Sequence, residues 1–205
     1  NDLKLFNIYG IVELNKLDDN TKEIFKNSTI QILDGKHRLF SKPYNTDYQM
    51  WQFTCPHDDA TIYNKLNNNE CLNIVSNVIN NWKFTKAHNF IDKTDINNVI
   101  IHPLYDYIPT DIDIQTLSNT SVILFGDAIH PMSPYIGMGC NQALEDVYNF
   151  VKLYVSNKKD VTKLYYEEMI NRSKKYVELS RKNTLFYHTK NTLNIKELAD
   201  FKKWK

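Results

Sequence analysis

Glycine, cysteine and long apolar runs are all scarce in this chain. Its 205 residues include 5 glycines and 3 cysteines, and the cysteines form no CxxC pair. An odd, widely spaced set of cysteines argues against a disulfide framework or a zinc site and favours a reducing, cytoplasmic compartment. No run reaches the roughly 18 apolar residues of a membrane span, and we expect no signal peptide.

Charge of one sign is also lacking. The formal net charge is +1, with 24% charged and 42% hydrophobic residues. We therefore expect a globular protein that binds neither nucleic acid nor an anionic membrane. Aromatic residues reach 13%, which fits either a compositional bias or an aromatic-lined pocket. The length allows one large domain or two small ones.

The first half of the chain predicts a β-sheet with one helix. Strands are expected at 3–13, on both sides of an Asp34-Gly35 turn, and at 49–56. Apolar spacing predicts a helix over 70–84, and a further strand precedes Pro109. In strand 49–56, Trp51 and Phe53 alternate with Met50, so these side chains belong either to the core or to a substrate pocket. Residues 110–120 read as a polar connection and a unit boundary.

The stretch SVILFGDAIHPMSPYIGMGCNQALEDVYNF, at 121–150, holds three of the five glycines. A buried strand is expected up to Phe125, with Asp127 at its carboxyl end, where open α/β sheets bind ligands. A helix is expected to begin at Cys140 to Asn141, and free N–H groups at a helix start can hold an anion or a carbonyl oxygen. The alternative is a strand, turn and helix without a ligand.

Two helices are expected to close the chain. Five residues mark one face of the first: Ala143, Leu144, Val147, Val151 and Tyr154. The second, over residues 161–190, is long, charged and amphipathic, with Leu164, Met169, Val177 and Leu185 among its apolar positions. The tail LADFKKWK is expected to fray.

The stretch GDAIHPMSPYIGMGCNQALEDV resembles the second flavin-binding motif of the FAD-dependent aromatic-ring monooxygenases typified by para-hydroxybenzoate hydroxylase. That motif reads roughly G-D-A-A-H-x-x-x-P-x-x-G-x-G-x-N-x-x-x-x-D. The matching positions are Gly126, Asp127, Ala128, His130, Pro134, Gly137, Gly139, Asn141 and Asp146. Ile129 and Met138 depart from the usual residues. The likeness is strong at 121–150 and looser elsewhere.

The resemblance implies an α/β fold, α+β within this chain. It places a substrate-binding β-sheet domain at 1–115, the C-terminal part of a Rossmann-like FAD-binding domain at 116–158 and a C-terminal helical segment at 159–205. The implied activity is hydroxylation of a small, aromatic or unsaturated substrate, with FAD as cofactor and NAD(P)H and O₂ as co-reactants.

The same resemblance implies roles for particular residues. Asp127 would hydrogen-bond the ribityl chain of FAD, with Gly126 allowing close approach. Pro134 would lie against the isoalloxazine ring, at the catalytic centre. Backbone N–H groups would reach the pyrimidine end of the flavin from Gly137, Met138, Gly139, Cys140 and Asn141. His130 and Asp146 would be structural.

One element of the family is missing. Nowhere in the sequence does a predicted strand lead through a GxGxxG loop into a helix, which is the arrangement that binds the ADP half of FAD. We interpret the chain as a truncated or split monooxygenase, whose missing half could come from a second polypeptide. Two alternatives stay open: a non-catalytic remnant that binds a ligand or a protein partner, and a flavin-dependent reductase without oxygenation.

Four other sites are considered and disfavoured. Asp127 and His130 lack a third metal ligand, so no metal site is predicted. Ser133 lies in no GxSxG elbow. Cys140 is expected to be buried and inert rather than a reactive thiol, and His102 is expected to be a strand-end residue rather than a base.

Overall fold

The computed structural model describes residues 1–26, 28–156 and 158–194. Contacts between Cα atoms divide the chain into two compact units. The sheet unit comprises Lys4–Leu104 and the described residues from Phe186 onward, and the motif unit comprises Asn1–Leu3 and Tyr105–Leu185. The predicted α/β class is confirmed, whereas the finer division at 115 and 158 stays a prediction. Within the described ranges, no helix is long and apolar enough to cross a membrane.

Five strands form one sheet in the order β2-β3-β4-β1-β5. They are β1 (Asp2–Glu13), β2 (Ile30–Leu33), β3 (Arg38–Pro43), β4 (Tyr48–Pro56) and β5 (Ile100–Tyr105). The β1/β4, β2/β3 and β3/β4 pairs are antiparallel. All the strands expected in this half of the chain are present.

The predicted Asp34-Gly35 hairpin joins β2 to β3. Gly35 has a φ of 88°, which favours glycine. The Asp34 carboxylate accepts from the backbone N–H groups of Lys36 and His37 and from Trp82 Nε1, and it lies 2.8 Å from His37 Nδ1. Burial alone would raise the pKa of Asp34, but these hydrogen bonds outweigh it and hold the pKa well below the usual value.

Side chains on one face of the sheet form the main core. Trp51 and Phe53 are fully buried in it, so they are core residues, while Met50 lies on the opposite face. The core is closed by α1 (Asp19–Phe25), α2 (Asn68–Ile79) and α3 (Lys86–Asp92). The helix expected to reach residue 84 stops at Ile79, and beyond it the N–H groups of Asn81 and Trp82 bond only three residues back, to the Val78 and Ile79 carbonyls.

The motif unit contains α4 (Asp111–Ser118), α5 (Gly139–Val155) and most of α6 (Val161–Tyr187). The expectation of a polar connection without regular structure at 110–120 is wrong, since most of this stretch forms α4. The reason is a capping box: the Thr110 N–H and hydroxyl donate to the Asp113 carboxylate, which satisfies groups at the helix start.

The strand expected at 121–125 is not formed. This segment has no ladder partner among the described residues, and Val122 is 57% exposed. It is held instead by two tyrosines of α6. Tyr165 donates to the Leu124 carbonyl, and the Tyr166 hydroxyl contacts the Leu124 N–H and the Val122 carbonyl.

The apolar face of α5 is largely exposed. Leu144, Val147, Val151 and Tyr154 are 47–67% exposed. The predicted long helix is confirmed as α6, where Met169 and Val177 are buried. The tail expected to fray, 198–205, lies outside the described residues.

Candidate functional site

Gly126 begins the loop that follows the extended segment. Its φ of 55° lies in the left-handed region, where other residues are disfavoured. A Cβ at this position would come within 2.7 Å of the Ala143 Cβ on α5. Both the backbone and its close approach to α5 therefore require glycine here.

Asp146, on α5, anchors this loop from beneath. Its fully buried carboxylate accepts from the Gly126 N–H and from Arg172 Nη2 and lies beside His130 Nε2, each at 2.7 Å. Burial alone would raise the pKa of Asp146, but the bonds from His130 and Arg172 outweigh it and lower the pKa. The carboxylate thus stays charged and ties three elements together.

Arg172 was not anticipated from the sequence. It stands among many charges on α6, where a solvated surface is the usual expectation, yet its side chain is 9% exposed. Besides Asp146 it donates to Gln142 Oε1 at 2.6 Å and to Glu168 Oε1 at 2.8 Å. Only the position of buried Asp146 opposite it on α5 distinguishes this arginine from its neighbours.

The far side of the loop leads into α5. A short 3₁₀ turn at Pro134–Ile136 ends at Gly137, whose φ is 65°. A Cβ added to Gly137 would have no other atom within 4 Å. Met138 occupies the N-cap position without a side-chain hydrogen bond to the helix. The backbone N–H groups of Gly139, Cys140 and Asn141 therefore have no partner within the helix.

The side chains that face outward complete the candidate site. Pro134, Cys140 and Asn141 are exposed, so the expectation that Cys140 is buried is wrong; as the second residue of α5 it lies on the open first turn. Asp127 is exposed and makes no hydrogen bond or ion pair with any described residue. It lines a cavity of about 390 Å³ together with Tyr107 and other residues.

The residues present fit the flavin end of FAD. The helix start offers unpaired donors and a positive dipole end for a carbonyl oxygen or a negative charge. Asp127 offers an acceptor for hydroxyl groups. Because Gly137 carries no Cβ and the space around it is open, the backbone there can approach a flat ligand closely, whereas the missing Cβ of Gly126 faces Ala143 on α5.

The other chemistry considered for these residues does not assemble. His130 is buried against Asp146 while Asp127 is exposed, and no group of three metal-binding side chains occurs in the described part of the chain. Ser133 Oγ lies 2.6 Å from Ser180 Oγ and 2.5 Å from Thr184 Oγ1, in a buried cluster of hydroxyl groups. His102 is exposed on β5, in the sheet unit.

Residues 111–174 match the family described as FAD binding domain. The FAD-dependent monooxygenase notI of Aspergillus sp. (strain MF297-2) is 31% identical over 119 residues, which cover 57% of this chain and 26% of that protein. Monooxygenase 2 of Arabidopsis thaliana is 27% identical over 103 residues, which cover 50% of this chain and 24% of that one.

The fold is similar to that of HpxO from Klebsiella pneumoniae, solved with FAD and uric acid. The TM-score is 0.76 at 18% identity, over 93% of this chain and 46% of that one. The matches thus span about a quarter of the curated relatives and about half of the solved chain.

Proposed function

We propose, for a chain that is related to the FAD-dependent monooxygenases, that residues 126–141 hold the flavin end of FAD in an enzyme that hydroxylates a small aromatic or unsaturated substrate. The observation that carries the proposal is the loop itself. Two left-handed glycines and an exposed, unpartnered Asp127 precede a helix whose first N–H groups have no capping side chain.

Asp127 is assigned to the ribityl hydroxyl groups, because its carboxylate can accept hydrogen bonds from them. Its neighbour Gly126 is fixed by Asp146, so the backbone that carries Asp127 is anchored before any ligand arrives. Such anchoring lowers the entropy lost on binding. Asp146 and His130 thereby act as positioning residues.

Because the Gly137 N–H donates to the Pro134 carbonyl at 3.2 Å, the N–H groups of Met138 to Asn141 are the ones assigned to the pyrimidine end of the flavin. With the dipole of α5 they stabilise negative charge on that ring. When bound, FAD supplies hydride acceptance and oxygen activation. Pro134 presents an exposed, rigid ring, which we assign to the face of the isoalloxazine and to water exclusion above it. NAD(P)H is proposed as the reductant.

The ADP half of FAD needs a phosphate-binding loop, and the printed sequence contains no GxGxxG. We assign that part to a further polypeptide segment, in the same protein or in a second chain. Two features support such a segment. Residues 121–125 pair with no strand among the described residues, and the apolar face of α5 around Leu144 and Val151 is exposed. An apolar face of this kind is usually covered.

The test is to isolate the protein from its native source with everything that binds it. The visible spectrum, the intact masses of all chains, and NAD(P)H-dependent oxygen uptake are then recorded. We expect oxidised-flavin bands, a polypeptide segment with GxGxxG, and incorporation of one oxygen atom into a small aromatic compound. HpxO, solved with uric acid, suggests planar heteroaromatic compounds as the first panel.

Two results would favour the alternatives. NAD(P)H oxidation in which all the oxygen appears as hydrogen peroxide, with every compound of the panel, would indicate a reductase. A colourless preparation that does not bind added FAD would indicate a non-catalytic binding module and overturn the proposal.

A further inference from the structure

Hydrogen bonds hold the peptide groups on both sides of the exposed Pro134 ring. Before the ring, the Ser133 carbonyl accepts from Ser180 Oγ, on α6, at 2.5 Å. After the ring, the Pro134 carbonyl accepts from the Gly137 N–H at 3.2 Å. The position of this exposed ring is therefore set by the protein itself and does not depend on a ligand.

The bond from Ser180 acts directly on the orientation of the proline ring. The Ser133 carbonyl and the Pro134 nitrogen belong to the same planar peptide group, and the ring holds φ of Pro134 near about −65°. Fixing that carbonyl oxygen thus fixes the plane from which the ring projects. Ser133 has a φ of −63° and a ψ of 153°, the extended conformation usual before proline, so the contact needs no strained backbone.

Two further hydroxyl groups support this bond. Ser133 Oγ lies 2.6 Å from Ser180 Oγ and 2.5 Å from Thr184 Oγ1, and Thr184 Oγ1 donates to the Ser180 carbonyl at 2.8 Å. Since Ser180 and Thr184 both give their protons to carbonyl groups, the Ser133 hydroxyl is the donor to their oxygens. All three residues are buried, so water does not compete for these bonds.

A second tie from the same turn of α6 holds the loop three residues before Pro134. Arg181 Nε and Nη2 donate to the two carboxylate oxygens of Asp106 at 2.7 and 2.5 Å. The N–H of the next residue, Tyr107, donates to the Pro131 carbonyl at 3.0 Å. One turn of α6 therefore holds the loop at two points.

Packing of α6 against the loop does not by itself require hydroxyl groups. Replacing both partners of a buried hydrogen bond by apolar groups of the same shape can be nearly neutral for stability. What the hydroxyl group of Ser180 adds is direction, because it donates to one carbonyl oxygen only. That oxygen belongs to the peptide group of the Pro134 ring.

We propose that Ser180 is a positioning residue, which holds the Ser133 carbonyl so that the Pro134 ring covers the face of the isoalloxazine. The ligand in this inference rests on the proposed function, whereas the clamp on Pro134 is a property of this chain alone. Every residue of the clamp belongs to the motif unit.

The clamp is tested first in the full protein without FAD, with ¹³C-labelled methionine methyl groups followed by NMR. Met132 lies in the loop between the two ties, and Met169 lies on α6. Ser180→Ala removes the donor and favours the helix, but it leaves the buried Ser133 carbonyl without its partner. We expect the Met132 methyl signal to shift and its order parameter to fall, while the Met169 signal stays in place.

Ser173→Ala is the matched control. It removes another fully buried hydroxyl group from α6, whose oxygen lies 3.5 Å from Met169 Sδ. It should shift Met169 and leave Met132 unchanged. Ser133→Ala keeps the bond from Ser180 to the carbonyl, so its effect on Met132 should be smaller than that of Ser180→Ala. Ser180→Cys keeps a weak donor of similar size and should give an intermediate effect, which also serves if Ser180→Ala does not fold.

The second test uses the same variants loaded with FAD. Iodide quenching of the flavin fluorescence measures access to the ring, and it should rise in Ser180→Ala but not in Ser173→Ala. The share of consumed oxygen that leaves as hydrogen peroxide should rise with it. The FAD affinity should stay near the wild-type value, because Asp127 and the first N–H groups of α5 keep their places.

Three results would overturn the inference. The first is an unchanged Met132 signal in Ser180→Ala, and the second is an equal effect of Ser133→Ala, because the carbonyl bond would then not carry the clamp. The third is normal FAD binding with the same iodide quenching in wild type and Ser180→Ala. A wild-type protein that does not bind FAD, with the expected Met132 shifts, would instead contradict the proposed function and leave the clamp without a flavin to position.

Discussion

Replacing each of the two left-handed glycines by alanine separates backbone strain from crowding. Gly126 and Gly137 have nearly the same φ, 55° and 65°. Holding alanine in that region costs about 1 kcal/mol at either position. At Gly137 the space is open, so this is the whole expected loss. At Gly126 the new Cβ meets Ala143 at 2.7 Å, and overpacking adds about 1–3 kcal/mol.

Urea unfolding followed by circular dichroism measures both variants, with Gly137→Asn expected to cost less than Gly137→Ala because asparagine tolerates this conformation. Ala143→Gly removes the methyl group that the new side chain of Gly126→Ala would strike. It should cost about 1 kcal/mol in the wild-type chain but little or nothing beside Gly126→Ala. Equal losses at Gly126 and Gly137, or an Ala143→Gly effect that is the same in both backgrounds, would refute the reasoning.

Three further predictions concern charge and thiols. The pKa of Asp34 is lowered in the folded protein, so its charged carboxylate stabilises the fold above the unfolded pKa of about 3.9. This stabilisation is lost as the pH falls towards the folded pKa. The difference in unfolding free energy between wild type and Asp34→Asn should therefore shrink below about pH 4 in acid titrations. Asp146→Asn should lower the unfolding free energy by about 3 kcal/mol, because buried Arg172 loses its counter-charge, with exposed Asp111→Asn as the control near zero in urea unfolding. Maleimide labelling followed by mass spectrometry should modify Cys140 first, since Cys55 and Cys71 are buried and burial raises the pKa of Cys55 to about 12; fast labelling of a second thiol in the folded protein would contradict this.

Much of the fold is readable from local sequence signals. The Asp34-Gly35 turn, the alternation of β1 and β4 and the spacing of α6 each carry their own pattern, so the elements were predicted. The resemblance at 126–146 likewise located the loop. Positive φ angles require glycine at 126 and 137, and the buried carboxylate requires Asp146, so these residues stand at a fixed spacing in the sequence.

The failures have physical causes too. An apolar run such as Val122–Phe125 predicts a strand, but a strand also requires a hydrogen-bonding neighbour, and none lies among the described residues. The α4 capping box was hidden in a stretch with little apolar periodicity. The contacts of Arg172 depend on side chains that are distant in sequence, Gln142 and Asp146, and no local sequence pattern encodes them.

The most direct test of the central claim is the FAD affinity of the full protein with and without the Asp127 carboxylate. Flavin fluorescence is titrated against wild type, Asp127→Asn and Asp92→Asn, the last being an exposed aspartate of the sheet unit. We expect Asp127→Asn to weaken FAD binding about tenfold, as for a charged hydrogen bond, while Asp92→Asn binds like wild type. Equal affinity in all three proteins would contradict the assignment of the 126–141 loop to FAD.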